Sequence, residues 1–220
     1  MSNIVTVGYM TEGSTDKRFL ETIIMKTVEE MAFHCEGQID VYDPIFIGSP
    51  KNQDFIAQVI NAAKTAYNSG IFILCVHVDS DHISDKNVMD RKITPAIDAL
   101  NEFTDGICKV VVPIVPVTMS EAWILADKEL FKAEIGTSLS DESLKINKNP
   151  ETVANPKALI EEALRIAQED LPRRRDKLTI GELYQPIGQK ISIEKLNNLS
   201  SFQKFKKSLE EAFKALNYKN

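Results

Sequence analysis

The first 118 residues alternate strand-like apolar segments with helix-like segments, and this alternation is the strongest constraint on the fold. Apolar, β-branched stretches predict strands over residues 3–9, 37–47, 71–78 and 109–117. Apolar residues at helical spacing predict helices between them, over residues 15–28, 52–67 and 90–103. This order of elements predicts an α/β fold: a mostly parallel sheet with helices on both faces, joined by right-handed crossovers.

The remaining residues, 119–220, carry almost no strand signal. Helical patterns are predicted there over residues 155–169, 180–184, 193–196 and 202–216. We therefore expect two parts: an α/β domain over residues 1–135, and a helical C-terminal extension over residues 136–220 that packs on it.

The residues that follow the predicted strands are acidic. Glu12 follows the first strand, with Asp16 four residues later, and both are expected on one face of the first helical turn. Asp79 and Asp81 follow the third strand, and in an extended chain their side chains point the same way. Glu121 follows the last strand. Because ligands of such sheets bind at the carboxyl ends of the strands, near a topological switch point, all five acids are expected at one rim.

Clustered carboxylates repel one another, and a hard divalent cation removes that cost. Mg²⁺ and Mn²⁺ take oxygen ligands, commonly a few carboxylates together with water and substrate phosphate. Five acids are enough for two ions about 4 Å apart, the arrangement that supports displacement at a phosphodiester. The alternative is that each acid is only a helix cap, a turn residue or a solvated surface group. Convergence on one edge of the sheet favours the metal site.

At these positions the chain resembles the Toprim domain of topoisomerases, primases, recombination-repair proteins and OLD nucleases. The resemblance rests on Glu12-Gly13 after the first strand and on Val78-Asp79-Ser80-Asp81 after a later buried strand. The segment Glu12–Asp16 is similar to the EGxTE/EGxTD opening of the OLD-like branch. The segment Ser120–Asp127 resembles a stretch of an uncharacterised bacterial Toprim-like family. Three further segments are similar to that family: Asn155-Pro156-Lys157, Arg175–Gly181 and Ile193–Phe205.

The resemblance implies a role for each matching residue. Glu12, Asp79 and Asp81 would be catalytic and would bind the metal, and Asp16 and Glu121 would be additional metal ligands. Lys177 is the nearest match to a C-terminal lysine that assists catalysis in OLD-like domains. The implied function is metal-dependent phosphodiester cleavage, in bacterial defence or DNA repair. OLD proteins also carry an ATPase, and because residues 1–220 contain no GxxxxGK[ST] loop, we expect any ATP dependence to come from a separate partner.

Composition restricts the partners and the compartment. The net charge of −6 argues against a general nucleic-acid coat protein but not against an enzyme that acts on nucleic acid. The expected partner is nucleic acid, DNA in preference to RNA, with phosphate contacts from Arg173, Arg174 and Arg175. The longest apolar run is far shorter than a membrane helix, and no signal peptide is evident, so we expect a cytoplasmic protein without membrane association. A homodimer is left open.

Two other functions are compatible with the same sequence. The domain can be a catalytically silent binding or sensor subunit that works with a separate ATPase. It can also be a phosphotransfer enzyme outside the Toprim group that uses the same acidic rim. A phosphatase with an aspartyl nucleophile is disfavoured. In such an enzyme the DxD pair follows the first strand, whereas here it follows a later one.

Overall fold

The structure, a computed structural model, describes residues 3–48, 52–169 and 177–218. It confirms the predicted α/β fold, in which parallel strands are flanked by helices and followed by a helical C-terminal region. This architecture is consistent with a Toprim-like fold. None of the described helices is long and apolar enough to cross a membrane.

The strands form two parallel sheets. Strands β1 (Asn3–Val5) and β3 (Ile39–Val41) make a small pair. The main sheet contains β2 (Val7–Met10), β4 (Ile45–Phe46), β5 (Ile73–His77) and β6 (Val111–Ile114), in the order β4-β2-β5-β6. The chain passes from β2 to β4 on one side and then returns to β5 on the other. The topological switch point therefore lies between the carboxyl ends of β2 and β5.

Strand β5 shows how the sheet separates two cores. Its side chains are buried along the whole strand, and they alternate between the two faces. Ile73 and Cys75 belong to one apolar cluster, and Leu74 and Val76 belong to the other. Such a strand, buried on both faces, is what a continuous apolar run predicts.

The helices on one face of the sheet are α2 (Phe55–Asn68) and a helical segment over residues 86–101. That segment comprises α3 (Lys86–Val88), a π-helical turn (Met89–Ile93) and α4 (Thr94–Asn101). The other face packs against α1 (Ser14–Phe33) and the C-terminal helices.

The predicted helices over residues 155–169, 193–196 and 202–216 are confirmed with small shifts at their ends. The segment predicted over 180–184 is instead a 3₁₀ turn that leads into a helix beginning at Tyr184, and two further short helices lie between residues 121 and 134. The C-terminal helices are α5 (Glu121–Ile124), α6 (Lys128–Glu134), α7 (Pro156–Ala167), α8 (Tyr184–Lys190), α9 (Ile193–Leu196) and α10 (Ser200–Ala215). Short 3₁₀ turns occur at Pro150–Thr152 and Ile180–Glu182.

Helix α8 crosses α1 at very close range. A Cβ atom at Gly188 would lie 2.8 Å from the carbonyl oxygen of Phe19, so only glycine permits this approach. The ammonium group of Lys26 on α1 donates hydrogen bonds to the carbonyls of Gly188, Gln189 and Ile191, at 3.3, 2.6 and 2.9 Å. These contacts fix α8 against the helix that begins at the switch point.

Candidate functional site

Three chain segments meet at the switch point. The loop after β2 carries Glu12, the residue after Val78 beyond β5 is Asp79, and the loop after β6 leads to Ser120 and Glu121. The first turn of α1 adds Asp16, which is buried with 7% of its surface exposed. The predicted convergence of strand-end acids therefore holds for these loops.

Ser120 is the centre of this group. Its Oγ lies 2.6 Å from Asp16 Oδ1, 3.3 Å from Asp79 Oδ1 and 3.2 Å from His77 Nε2. Its backbone N–H also donates to Asp79 Oδ1, at 3.0 Å. A hydroxyl has one proton, and the shorter distance assigns it to Asp16, while the backbone N–H of Ser120 holds Asp79 and the imidazole N–H of His77 can donate to Oγ. Ser120 thereby holds Asp16 and Asp79 beside each other.

His77 is buried at the end of β5, two residues before Asp79 and on the same side of the chain. Its Nε2 lies 3.3 Å from Asp79 Oδ1. Burial lowers the pKa of His77, but the hydrogen bond to Asp79 and the negative charges of Asp79, Asp16 and Glu12 outweigh it, so the net shift is upward. Within the described residues, His77 Nδ1 has no hydrogen-bond partner.

Glu121 is the most enclosed acid of the group, with 6% of its surface exposed. Its Oε1 accepts a hydrogen bond of 2.5 Å from the hydroxyl of Tyr184 on α8. Burial raises the pKa of Glu121, and the charges of Asp79 and Asp16 add to this rise, while the Tyr184 hydrogen bond opposes it. Burial and the bond to Glu121 likewise raise the pKa of Tyr184.

The expectation that Glu12 and Asp16 share one face of a helical turn is wrong. Helix α1 begins at Ser14 with Gly13 as its N-cap, so Glu12 lies in the preceding loop. The glycine has a packing role, because a Cβ atom at position 13 would lie 2.5 Å from Asp16 Oδ2. Gly13 thus allows the carboxylate of Asp16 to lie against the loop, while Glu12 remains about half exposed.

The expectation of an extended chain through Asp79 and Asp81 is also wrong. Asp81 has a φ of 53° and an exposed side chain, and its backbone N–H donates to the carbonyl of Thr118. Thr118 itself has a φ of 59°, an unusual value for a β-branched residue. These two left-handed residues hold the loop after β5 against the loop after β6. The side chain of Asp81 is therefore not placed beside Asp79 by strand alternation.

Glu12 has a basic neighbour. Lys92 Nζ, from the π-helical turn, lies 3.8 Å from Glu12 Oε1 and 5.7 Å from the centre of the Phe55 ring. All three residues line a cavity of about 230 Å³. His77 and Gln58 line the same cavity, together with Met10 and Thr11. The cavity thus adjoins the acidic group through both Glu12 and His77.

Of the basic residues predicted for the site, the structure describes Lys177. Lys177 is exposed, and the described part of the chain gives it no contact with the acidic group. Arg173, Arg174 and Arg175 lie outside the described residues.

The donor chemistry of the acidic group fits a hard divalent cation. Asp16, Asp79 and Glu121 offer carboxylate oxygens, the ligands that Mg²⁺ and Mn²⁺ prefer. Over residues 3–48, 52–169 and 177–218, however, no set of three or more His, Cys, Asp or Glu is already arranged to hold a metal ion. Mg²⁺ is commonly held by one or two carboxylates, with substrate phosphate and water completing its coordination. Asp16 and Asp79 are the pair that this mode of binding would use.

Sequence reasoning missed four residues of the site. His77 had a usable signal, because the His-x-Asp spacing at a strand end puts both side chains on one side. Ser120 directly precedes Glu121 and belongs to the same loop. Lys92 and Tyr184 gave no signal, since only the packing of a π-helical turn and of α8 brings them to the acids.

Searches against protein-family models, curated proteins and solved structures found no match to this chain.

Proposed function

We propose that this protein is a Mg²⁺- or Mn²⁺-dependent enzyme that cleaves phosphodiester bonds, related to the Toprim domains of OLD-like nucleases. The observation that carries the proposal is the convergence of Asp16 and Asp79 on Ser120, with Glu121 beside them, at the switch point of a parallel sheet. Several acids gathered at a ligand-binding edge favour the binding of a cation.

Each residue of the acidic group has a separate role in this proposal. Asp16 and Asp79 would hold the ion, and Ser120 keeps both carboxylates in position through its Oγ and N–H groups. Glu121 adds negative charge close to both, and Tyr184 orients its carboxylate. The bound ion would stabilise the charge that develops on the phosphate. Nucleic acid is the expected substrate, DNA in preference to RNA, and bacterial defence or repair is the proposed setting.

The decisive experiment is incubation of the purified protein with linear and circular DNA and RNA, in Mn²⁺, in Mg²⁺ and in EDTA. We expect cleavage that EDTA abolishes. Asp79→Asn should lower the rate by a factor of about 10²–10⁴, the range for lost electrostatic or acid–base assistance. Asp98→Asn is the matched control, because Asp98 is exposed on α4. Equal rates in the two variants would refute the proposed site.

A second candidate function is a catalytically silent binding or sensor subunit that works with a separate ATPase. The placement of Asp81 favours it, because the second acid of the DxD pair is exposed and turned by a left-handed backbone. This alternative expects Mn²⁺ to stabilise the fold without cleavage of any of the four nucleic acids. The same incubations, followed by a melting curve in Mn²⁺, separate the two functions.

A further inference from the structure

Lys92 lies beside the acidic group, but the proposed metal site gives it no role. It lies on the π-helical turn Met89–Ile93, which interrupts the helical segment over residues 86–101. A π-helical turn inserts an extra residue into a helix, and such turns are frequent at functional sites. Here the turn brings an ammonium group to the mouth of the cavity beside Glu12.

The contacts of Lys92 are loose. The 3.8 Å to Glu12 is an ion-pair distance but not a hydrogen bond, and the side chain is 37% exposed. Phe55 lies within the range of a cation–π contact and limits where the ammonium can move. Among the described residues, no hydrogen bond from Lys92 Nζ is found, so its three N–H donors are available to a ligand.

His77 lines the same cavity and carries a ring nitrogen without a partner among the described residues. His77 is 1% exposed, and its Nδ1 has no hydrogen-bond partner in the described part of the chain. A buried polar atom in this state is unfavourable unless water or a ligand completes its bonding. This nitrogen is independent of Lys92 and belongs to a residue of the same cavity wall, which is consistent with an occupant of that cavity.

We propose that Lys92, rather than Lys177, binds a substrate phosphate at the mouth of this cavity, next to the acidic group. The inference rests on the proposed phosphodiester-cleaving function and names the group that receives the negatively charged strand. Four acids repel an approaching polyanion unless a positive charge lies beside them, and among the described lysines Lys92 forms an ion pair with one of these acids, Glu12. The exposed Lys177 has no such contact in the described structure.

The test measures binding separately from cleavage. A fluorescent 20-nucleotide DNA, single- or double-stranded, is titrated with protein in Ca²⁺ at several salt concentrations, and the anisotropy gives Kd. We expect Lys92→Gln to raise Kd about tenfold and to reduce the slope of log Kd against log salt by about 1. Lys92→Arg keeps the charge and should restore both values to near wild type. Lys157→Gln, at an exposed position on α7, is the charge-matched control.

The variant should fold normally, because a partly exposed ion pair at this distance contributes little to stability, and its melting curve verifies this. If wild type cleaves DNA while Lys92→Gln keeps wild-type Kd and salt slope, Lys92 is not the phosphate contact and the proposed function stands. Loss of slope in Lys177→Gln alone would assign the contact to Lys177 instead. If wild-type protein neither binds nor cleaves any nucleic acid in Mn²⁺, the proposed function fails, and the role of Lys92 fails with it.

Discussion

Tyr184 and Glu121, 63 positions apart in the chain, are joined by a hydrogen bond of 2.5 Å between the phenol and Oε1 of the buried carboxylate. Tyr184 begins helix α8, which packs on α1, whereas Glu121 follows the last strand of the sheet. The C-terminal region thus contributes directly to the acidic group. Its helices orient one of the acids as well as covering the sheet.

Tyr184→Phe should therefore destabilise the protein. It leaves a buried carboxylate oxygen without its donor, at a cost of about 1–3 kcal/mol. For a chain of this size, each kcal/mol lowers Tm by about 2–4 °C. Tyr67→Phe is the control, because Tyr67 donates to Asp105 in an exposed bond. Equal melting temperatures for the two variants would show that the Tyr184 bond contributes nothing to stability.

Glu121→Gln should have a pH-dependent effect in EDTA. The pKa of Glu121 is raised above its usual 4.5, so the folded state binds the proton more tightly than the unfolded state. This residue therefore lowers stability progressively as pH rises from about 4.5 through the higher folded pKa. Glutamine does not ionise, so the Tm of Glu121→Gln minus the Tm of wild type should be more positive at pH 8 than at pH 4.5. A difference in Tm that does not change with pH would contradict the upward shift.

Mn²⁺ should raise Tm if it binds only the folded state. At an Mn²⁺ concentration of a hundred times Kd, the free energy of unfolding increases by about 2.7 kcal/mol. Asp16→Asn and Asp79→Asn should each remove most of this gain, since both carboxylates meet at Ser120. Asp98→Asn should leave it intact. Metal titrations followed by thermal unfolding give the comparison, and a wild-type Tm unaffected by millimolar Mn²⁺ would count against any metal site.

A test of Asp81 needs a substitution that tolerates its left-handed backbone conformation. Its φ of 53° is tolerated by asparagine, whereas alanine there costs about 1–2 kcal/mol. We expect Asp81→Asn to keep wild-type Tm and Asp81→Ala to lower it by several degrees. If Asp81→Asn also keeps the Mn²⁺-dependent gain in Tm, Asp81 is not a metal ligand. A fall in Tm for Asp81→Asn as large as that for Asp81→Ala would mean that the carboxylate, rather than the backbone conformation, is what matters.

The sequence predicted strands β5 and β6 well because each has a local signature, whereas the segments predicted as single strands over residues 3–9 and 37–47 each divide into two short strands in different sheets. The continuous apolar run over residues 71–78 indicated a strand buried on both faces, and β5 is such a strand. The acids at the strand ends followed from the same reasoning, because parallel strands deliver their following residues to one edge. Asp16, Asp79 and Glu121 came together for this reason.

What the sequence could not predict depends on backbone turns and on distant packing. The left-handed conformation at Asp81 arises from its bond to Thr118, a residue 37 positions later. Lys92 reaches Glu12 because a π-helical turn changes the phase of its helix. Tyr184 reaches Glu121 because glycine at position 188 permits a close crossing of α8 and α1. None of these three relationships has a periodicity that a reader of the sequence could detect.

Glu151 supports the helix that packs behind the site. Its carboxylate accepts hydrogen bonds from the backbone N–H and the Oγ of Ser200, at 2.8 and 2.7 Å, and from the N–H of Ser201, at 2.8 Å. It thus caps the N-terminus of α10 from 49 residues away in the chain. An acidic cap satisfies unpaired N–H groups and interacts favourably with the helix dipole.

Glu151→Ala should therefore destabilise the protein by about 1–2 kcal/mol, the usual cost of a lost N-cap, and lower Tm by about 2–8 °C. Glu142→Ala, at an exposed position outside the helices, should have little effect. Trp123, the only tryptophan of the chain, reports on the change because its Nε1 donates to Ser201 Oγ and its ring packs against Phe202. Urea unfolding followed by Trp123 fluorescence should give a lower midpoint for Glu151→Ala.

Glu151→Gln should be intermediate, because its amide oxygen still accepts one of the bonds without the charge. Coincident unfolding curves for Glu151→Ala and Glu142→Ala would show that α10 is held by its apolar face alone.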